Sequence, residues 1–103
     1  MEFSSDVKNG VIVISLQGEL DEKSAVQTRD YLDKRIRENR YYQVILDFAK
    51  VAFMDSTGIG VLLGRYKKLT EQGAELCVTN LNAQIDKVFR ISGLYQIIKA
   101  VSV

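Results

Sequence analysis

The pattern of hydrophobic and polar positions begins with two short apolar runs, residues 3–7 and 11–16, on either side of Asn9-Gly10. An Asn-Gly pair between such runs is a strong signal for a tight hairpin, because both residues accept the left-handed backbone that the turn requires. The chain is therefore predicted to open with two antiparallel strands.

From about residue 24 to residue 39, apolar positions recur every three to four residues, which is the period of an amphipathic helix. The predicted buried face consists of Ala25, Thr28, Leu32 and Ile36. The predicted solvent face consists of Asp30, Asp33, Lys34, Arg37 and Glu38. Residues 43–48 follow as a nearly continuous apolar run, which is typical of a central strand covered by helices on both faces.

A second helical pattern covers residues 58–72 and stops at Gly73, which readily takes the left-handed backbone of a helix end. Its predicted apolar side consists of Ile59, Leu62, Leu63, Tyr66 and Leu69. Its predicted exposed side consists of Arg65, Lys67, Lys68 and Glu71.

The last part of the chain predicts a strand over residues 74–79, a third helix capped by Asn82 and closed by Gly93, and a final strand over residues 97–101. The element order is then β-β-α-β-α-β-α-β. This order predicts an α/β fold with a mainly parallel central sheet, an N-terminal antiparallel hairpin strand and helices packed on the sheet. No proline, linker or repeat divides residues 1–103, so a single domain is expected.

Charge and composition narrow the function classes. Fourteen basic and thirteen acidic residues give a net charge of +1, so no basic excess favours binding to nucleic acid. The chain has no histidine, which removes Ser-His-Asp and Cys-His catalysis and His-containing zinc sites. We expect no enzymatic activity, no metal and no cofactor.

The single cysteine, Cys77, lies in an apolar run, where a buried small hydrophobe is the expected role and a reducing compartment the expected setting. No apolar run approaches the roughly 18 residues of a membrane span, and the first residues lack the basic and apolar parts of a signal peptide. The sequence therefore predicts a soluble, cytoplasmic protein.

The most informative stretch is residues 53–60, where Asp55, Ser56 and Thr57 stand between the central strand and the second helix. One interpretation is an N-cap, which stabilises a helix by about 1 kcal/mol and has no further role. However, a cap needs one oxygen acceptor and this segment supplies three. The loop also follows the carboxyl end of a central parallel strand, where open α/β sheets place their sites.

Glycines in the second helix allow two interpretations. No Gly-Lys-Ser/Thr follows Gly58 and Gly60, and their spacing with Gly64 differs from the dinucleotide fingerprint, so a tight nucleotide site is disfavoured. Each helical glycine costs about 1 kcal/mol relative to alanine, so a close neighbour is expected on the face of Gly60 and Gly64. That neighbour is either the protein's own sheet or another protein.

Three separated segments resemble one family. Residues 55–67, DSTGIGVLLGRYK, resemble the phosphorylation loop and following helix of bacterial anti-sigma factor antagonists, the stand-alone STAS domains. Residues 18–21, GELD, match a segment after the first hairpin of that family, and residues 89–94, FRISGL, resemble its final helix and turn. The resemblance is in the right order and covers nearly the whole chain.

The resemblance implies a partner switch in the regulation of transcription, of the kind used in sporulation or stress responses. In the family, the serine directly after the aspartate is phosphorylated by the anti-sigma factor, a serine kinase with a GHKL-type ATP fold, and by position this serine is Ser56. A PP2C-type phosphatase removes the phosphate. The unphosphorylated form binds the anti-sigma factor and frees the sigma factor. The free protein is expected to be a monomer without membrane or nucleic acid contacts.

The resemblance also implies partner-binding residues. Those in the two loops and at the start of the helix are Asp21, Met54, Asp55, Ser56, Thr57, Gly58 and Gly60. Arg65 and Lys68, on the predicted exposed side of the helix, complete the predicted set, although surface charge alone also explains them. For Asp21, the N-cap region of the first helix is an equally good explanation.

Two alternatives belong to other function classes. The same fold could serve as a phosphorylatable scaffold or a nucleotide-sensing module of a stress-signalling complex. A hydrolase with Ser56 as nucleophile lacks a histidine base, and Lys67 or Lys68 would have to replace it from the helix beyond. The shortness of the chain and the absence of an appended domain favour the simple antagonist over the scaffold or sensing module.

Overall fold

A computed structural model describes all 103 residues. The five strands are β1 (Glu2–Lys8), β2 (Val11–Leu20), β3 (Gln43–Met54), β4 (Glu75–Thr79) and β5 (Lys99–Ala100). The three α-helices are α1 (Ala25–Arg37), α2 (Ser56–Glu71) and α3 (Ala83–Ser92), and a 3₁₀ turn, Leu94–Gln96, precedes β5. The predicted element order is confirmed. No helix combines the length and the apolar character that crossing a membrane would need.

The opening hairpin turns at Asn9 and Gly10, whose φ angles are 53° and 79°. Two successive residues with positive φ form the turn that matches the right-handed twist of a two-stranded hairpin. Strands β1 and β2 then pair antiparallel, from Lys8 opposite Val11 to Glu2 opposite Gln17. The hairpin prediction is confirmed at its turn and in its strand direction.

The sheet has the order β1-β2-β3-β4-β5, and β2 to β5 are parallel. The three crossovers advance in the same direction, so right-handed connections place all three helices on one face. The core lies between that face and the helices. Most of its sheet residues occupy alternate positions of three strands: Ile12, Ile14, Leu16, Val44, Leu46, Phe48, Leu76 and Val78. Leu20, Val51 and Met54 join them at the ends of β2 and β3.

The prediction that helices cover β3 on both faces is wrong. Ile45 and Cys77 are neighbours on the opposite face and lie outside the core cluster, although both are buried. Polar side chains lie beside Cys77: the Gln43 amide donates to Sγ at 3.4 Å and the thiol donates to Glu75 at 3.2 Å. Burial, with a further contribution from the Glu75 hydrogen bond, raises the pKa of Cys77 to about 11. The prediction of a buried cysteine is confirmed.

The observed boundaries differ most from the predicted ones in β3, which continues six residues beyond its predicted end at residue 48. The extension pairs with the end of β2 across register shifts. Consecutive exposed residues interrupt its alternation of buried and exposed positions, so no apolar run in the sequence predicted it. At the other edge, β5 has only two residues. The consequence of the extension is that β2 and β3 end together, with Leu20 opposite Met54.

Candidate functional site

The candidate site lies where β2 and β3 end side by side. Asp21 and Asp55 are the first residues after these strands, and the Asp55 N–H donates to the Leu20 carbonyl at 3.3 Å. The backbone hydrogen bond ties the two loops together. Asp21 and Asp55, which the sequence singled out, therefore lie together at the carboxyl ends of β2 and β3.

Asp55 is the N-cap of α2. Its backbone is extended, with φ −109° and ψ −170°, and its Oδ1 accepts a hydrogen bond from the Thr57 N–H at 2.9 Å. Its carbonyl oxygen also accepts from the Gly58 N–H at 3.0 Å. With Asp55 serving as the cap, the hydroxyls of Ser56 and Thr57 are not used for capping and make no hydrogen bond within the chain. Ser56 is exposed at the first helical position.

Asp21 organises the neighbouring loop in a similar way. Its Oδ1 accepts hydrogen bonds from the N–H groups of Lys23 at 3.0 Å and Ser24 at 3.1 Å. The Ser24 hydroxyl donates to the Glu19 carbonyl at 2.6 Å, which closes the turn. Asp21 remains half-buried. The carboxylate thus orders the entry to α1 and still borders the surface beside Asp55.

Met54 and Gly58 form the floor beneath the Ser56 loop. Met54 is fully buried, and a Cβ placed on Gly58 would lie 2.5 Å from Met54 Cγ and 3.1 Å from Leu20 Cγ. These distances are too short for a side chain, so glycine is required for the helix to approach the ends of β2 and β3. In this structure Met54 and Gly58 support the loop from below and expose little surface of their own.

Gly60 and Gly64 differ from Gly58. A Cβ at either position would meet no atom within 4 Å, so the protein's own sheet is not the reason for a glycine there. Of the two interpretations of these glycines, the one based on the sheet is wrong. Gly60 is exposed and Gly64 is half-buried, and at these two positions α2 carries no side chain.

A clamp from α3 holds the end of β3. The Met54 N–H donates to Gln84 Oε1 at 3.1 Å, and Gln84 Nε2 donates to the Met54 carbonyl at 2.8 Å. Asn82 caps α3 by accepting from the Ile85 N–H at 2.9 Å, as predicted, and its Nδ2 also donates to the carbonyls of Val51 and Ala52. Sequence reasoning missed Gln84, because a glutamine in a first helical turn carries no signal of a distant backbone partner.

An open groove of about 520 Å³ separates the start of α2 from α3. Its lining residues are Ser56, Ile59, Gln84, Lys87, Val88, Ile91 and Ser92. Ile91 is 75% exposed at its rim, an unusual position for a large apolar side chain. Sequence reasoning missed this groove, since it exists only where two helices distant in the chain come together.

Arg65 and Lys68 do not share the exposed side that the sequence predicted. Arg65 is buried, with 6% of its surface exposed, and its Nε lies 2.9 Å from Oδ1 of Asp33 on α1. Lys68 Nζ lies 3.0 Å from Oδ2 of the same carboxylate. The Arg65 N–H is not aligned for a hydrogen bond, so the contact is an ion pair. The predicted exposure of Asp33 and Arg65 is therefore wrong.

Burial lowers the pKa of Arg65, and the nearby Asp33 charge opposes that shift. The guanidinium nevertheless stays protonated at neutral pH, as arginine does in proteins. Leu63 takes the place that the sequence pattern gave to Arg65, with 41% of its surface exposed. The helix is thus rotated relative to the prediction, with a charged pair inside and a leucine outside.

The geometry agrees with a known family. The model of the STAS domain matches this chain over residues 2–102. The chain belongs to the STAS domain family. This STAS domain is 32% identical over 97 residues to an anti-sigma F factor antagonist of Paenibacillus polymyxa, covering 94% of this chain and 83% of the relative. It is 34% identical over 100 residues to an anti-sigma-B factor antagonist of Bacillus subtilis, covering 95% and 90%.

Comparison with solved structures leads to the same family. The Bacillus cell fate determinant SpoIIAA in its phosphorylated form superposes with a TM-score of 0.74 at 30% identity, covering 98% of this STAS domain and 92% of SpoIIAA. The mixed five-stranded sheet with three helices is therefore the SpoIIAA-like STAS fold.

Most predicted site residues of this STAS domain come together around one loop. Asp21, Asp55, Ser56 and Thr57 border its surface, and Gly60 follows one turn along the helix. Arg65 and Lys68 lie apart from them: nine residues of helix, about 13 Å, separate Ser56 from Arg65. The structure thus divides the predicted set into a surface cluster, a buried floor and a distant ion pair.

Proposed function

We propose that this STAS domain is an anti-sigma factor antagonist controlled by phosphorylation of Ser56. The unmodified form binds an anti-sigma factor and thereby releases the sigma factor, and the phosphorylated form does not bind. The observation that supports this most directly is that the Ser56 hydroxyl is exposed and free of internal hydrogen bonds, because Asp55 serves as the helix cap. The chain itself has no catalytic role in this proposal.

The phosphoryl donor is ATP bound to the anti-sigma factor, a serine kinase with a GHKL-type ATP fold. The Ser56 oxygen bonds to the γ-phosphorus, the bond to the β-phosphate oxygen breaks, ADP leaves and the hydroxyl proton is lost. A PP2C-type phosphatase restores the serine by hydrolysis. The relatives named above as antagonists of anti-sigma factors support this assignment of partner.

The fold should tolerate the modification. A phosphoserine carries a charge of about −1.5 to −2 at pH 7, and the start of a helix carries a partial positive charge. Ser56 stands at the first position of α2 and its side chain faces solvent, so the phosphate displaces no packed group. The domain should therefore stay folded after phosphorylation.

Binding of the anti-sigma factor, in contrast, should not tolerate a phosphate on Ser56. An interface that covers Ser56 would have to desolvate a dianion, and a buried charge without a partner is strongly unfavourable. Asp55 is next to it and adds like-charge repulsion. Phosphorylation would thus remove binding through charge, without a change of fold.

The partner surface in this proposal consists of the loop residues Asp21, Asp55, Ser56 and Thr57 together with Gly60. Met54 and Gly58 act through the loop that they support. Arg65 and Lys68 act through Asp33, since the ion pair fixes α2 against α1. Their replacement should disturb binding only as far as it disturbs the position of α2.

Incubation with the cognate anti-sigma factor and ATP, followed by mass spectrometry of the loop peptide, tests the assignment. We expect one phosphate on Ser56, and none on the Ser56→Ala variant. Thr57→Ala removes the neighbouring hydroxyl, and because Thr57 belongs to the proposed partner surface, the position of its phosphate is compared and not the rate; that position should be Ser56. Phosphate on Thr57, or its persistence in Ser56→Ala, would contradict the proposal.

A further inference from the structure

Lys87 is the charged side chain in the groove between α2 and α3. It lines this groove together with Ser56, and the other lining residues are uncharged. Its ammonium group has no ion-pair or hydrogen-bond partner within the chain. Lys87 is exposed on α3, so a cation without an internal partner faces the same space as the serine hydroxyl.

We propose that Lys87 is the intramolecular partner of the Ser56 phosphate. The inference rests on the proposed function, in that it concerns the phosphorylated form, and it assigns a phosphate-binding role to a residue of α3. The phosphate is held over the groove between the two helices by one lysine from α3, since Asp55 already accepts from the Thr57 and Gly58 N–H groups at the start of α2.

The surrounding charges favour this arrangement. On the α2 side, Asp55 precedes the serine, and Asp21 lies in the adjoining loop with Lys23, so the loops alone give the phosphate mainly acidic neighbours. On the α3 side, the acidic neighbour of Lys87 is occupied: Asp86 accepts hydrogen bonds from Arg90 at 3.0 Å and from the Tyr95 hydroxyl at 2.6 Å. Lys87 is thus the free cation that can offset the repulsion from Asp55.

The arrangement has a consequence for the partner switch. A phosphate drawn toward Lys87 lies across the apolar groove lined by Ile59, Val88 and Ile91. The groove then carries a hydrated dianion instead of a free apolar surface. Phosphorylation at α2 would therefore also alter the surface that α3 presents.

Phosphorus NMR titration of the second phosphate ionisation tests the proposal. Phosphoserine is installed at position 56 during translation, so that the measurement does not depend on a kinase. A nearby cation favours the dianion and lowers the phosphate pKa, which is about 6 for an unperturbed phosphoserine. Removing that cation should raise the phosphate pKa.

We expect Lys87→Met to raise the phosphate pKa by about 0.8, the shift produced by a unit charge roughly 4 Å away in a water-like medium. Lys87→Arg should keep the parent value, and high salt should shrink the difference. Lys67→Met is the matched control, since Lys67 is an exposed lysine without an ion-pair partner, eleven residues or about 16 Å along α2 from Ser56.

Equal phosphate pKa values in the parent and Lys87→Met would overturn the proposal, and so would a shift of the same size in Lys67→Met. Failure of the proposed function is a separate result. If the anti-sigma factor phosphorylated another residue, the kinase assay would show it, while the titration of the installed phosphoserine would still decide whether Lys87 binds the phosphate.

Discussion

The two halves of α2 use their polar residues differently. In the first half, the Ser56 hydroxyl has no partner within the chain and Gly60 exposes bare backbone. In the second half, Arg65 is buried against Asp33 and Lys68 shares the same carboxylate. The hydroxyl at the start of the helix stays without an internal partner, whereas the charged groups near its end pair with Asp33 on α1. Substitutions in the two halves should therefore affect different measurements.

The largest effect on stability is expected from Asp33→Asn. This change leaves the buried Arg65 guanidinium without a countercharge, and breaking a buried pair from one side typically costs about 3 kcal/mol of unfolding free energy. Urea unfolding measures the loss. Lys67→Met is the control on the exposed side of the same helix and should leave stability within about 0.5 kcal/mol. A loss below about 1 kcal/mol in Asp33→Asn would show that the pair does not hold α1 to α2.

A smaller effect, on binding instead of stability, is expected from Ser56→Asp. The carboxylate puts a charge beside Asp55 in the proposed interface and should weaken anti-sigma factor binding by roughly tenfold or more, about 1.4 kcal/mol. Its single charge makes it a weaker mimic than phosphate. Ser56→Ala should retain binding in the same calorimetric titration. Equal affinities of Ser56→Asp and the parent would refute the charge mechanism.

The smallest change in free energy is expected from Gly60→Ala. This variant best separates the contribution of α2 to stability from its proposed contribution to binding. The new Cβ meets nothing within 4 Å, so the helix should gain about 1 kcal/mol of stability from the better helix former. If the partner approaches the bare backbone of α2, the same methyl group should weaken binding.

Gly64→Ala provides the comparison one turn farther from Ser56, with a similar gain in stability expected because its Cβ also meets no atom. Thermal unfolding and calorimetry on the same samples give both quantities. A stabilised Gly60→Ala variant with unchanged affinity would remove Gly60 from the partner surface.

Local signals predicted the parts of the fold that depend on neighbouring residues. Asn9 and Gly10 specified the hairpin through their backbone preferences, and Asn82 specified the start of α3 through its cap. Ser56 was placed between the central strand and the second helix, although the strand was predicted to end at residue 48 and the helix to begin at residue 58. The candidate loop was therefore found from the sequence, and its bounds were not.

The parts that failed depend on contacts between distant residues. A charged residue in a helical pattern is assigned to solvent, and only the packing of α1 against α2 shows that Asp33 and Arg65 neutralise each other inside. Likewise, Ile45 reads as a residue under a second layer of helices, whereas it lies on the face that the helices leave open. The sequence missed Lys87 for the same reason, since no local pattern connects it with Ser56 across the groove that both residues line.

Cys77, on the sheet face that carries no helices, gives this protein a natural reporter of local unfolding. Cys77 sits in β4, fully buried, and its raised pKa of about 11 keeps the thiol protonated at neutral pH. A thiolate-specific reagent therefore reacts when β4 opens and scarcely at all with the closed sheet. The rate of Cys77 labelling measures how often β4 is exposed, without any introduced probe. Any loosening of the fold by phosphate on Ser56 would appear as faster labelling.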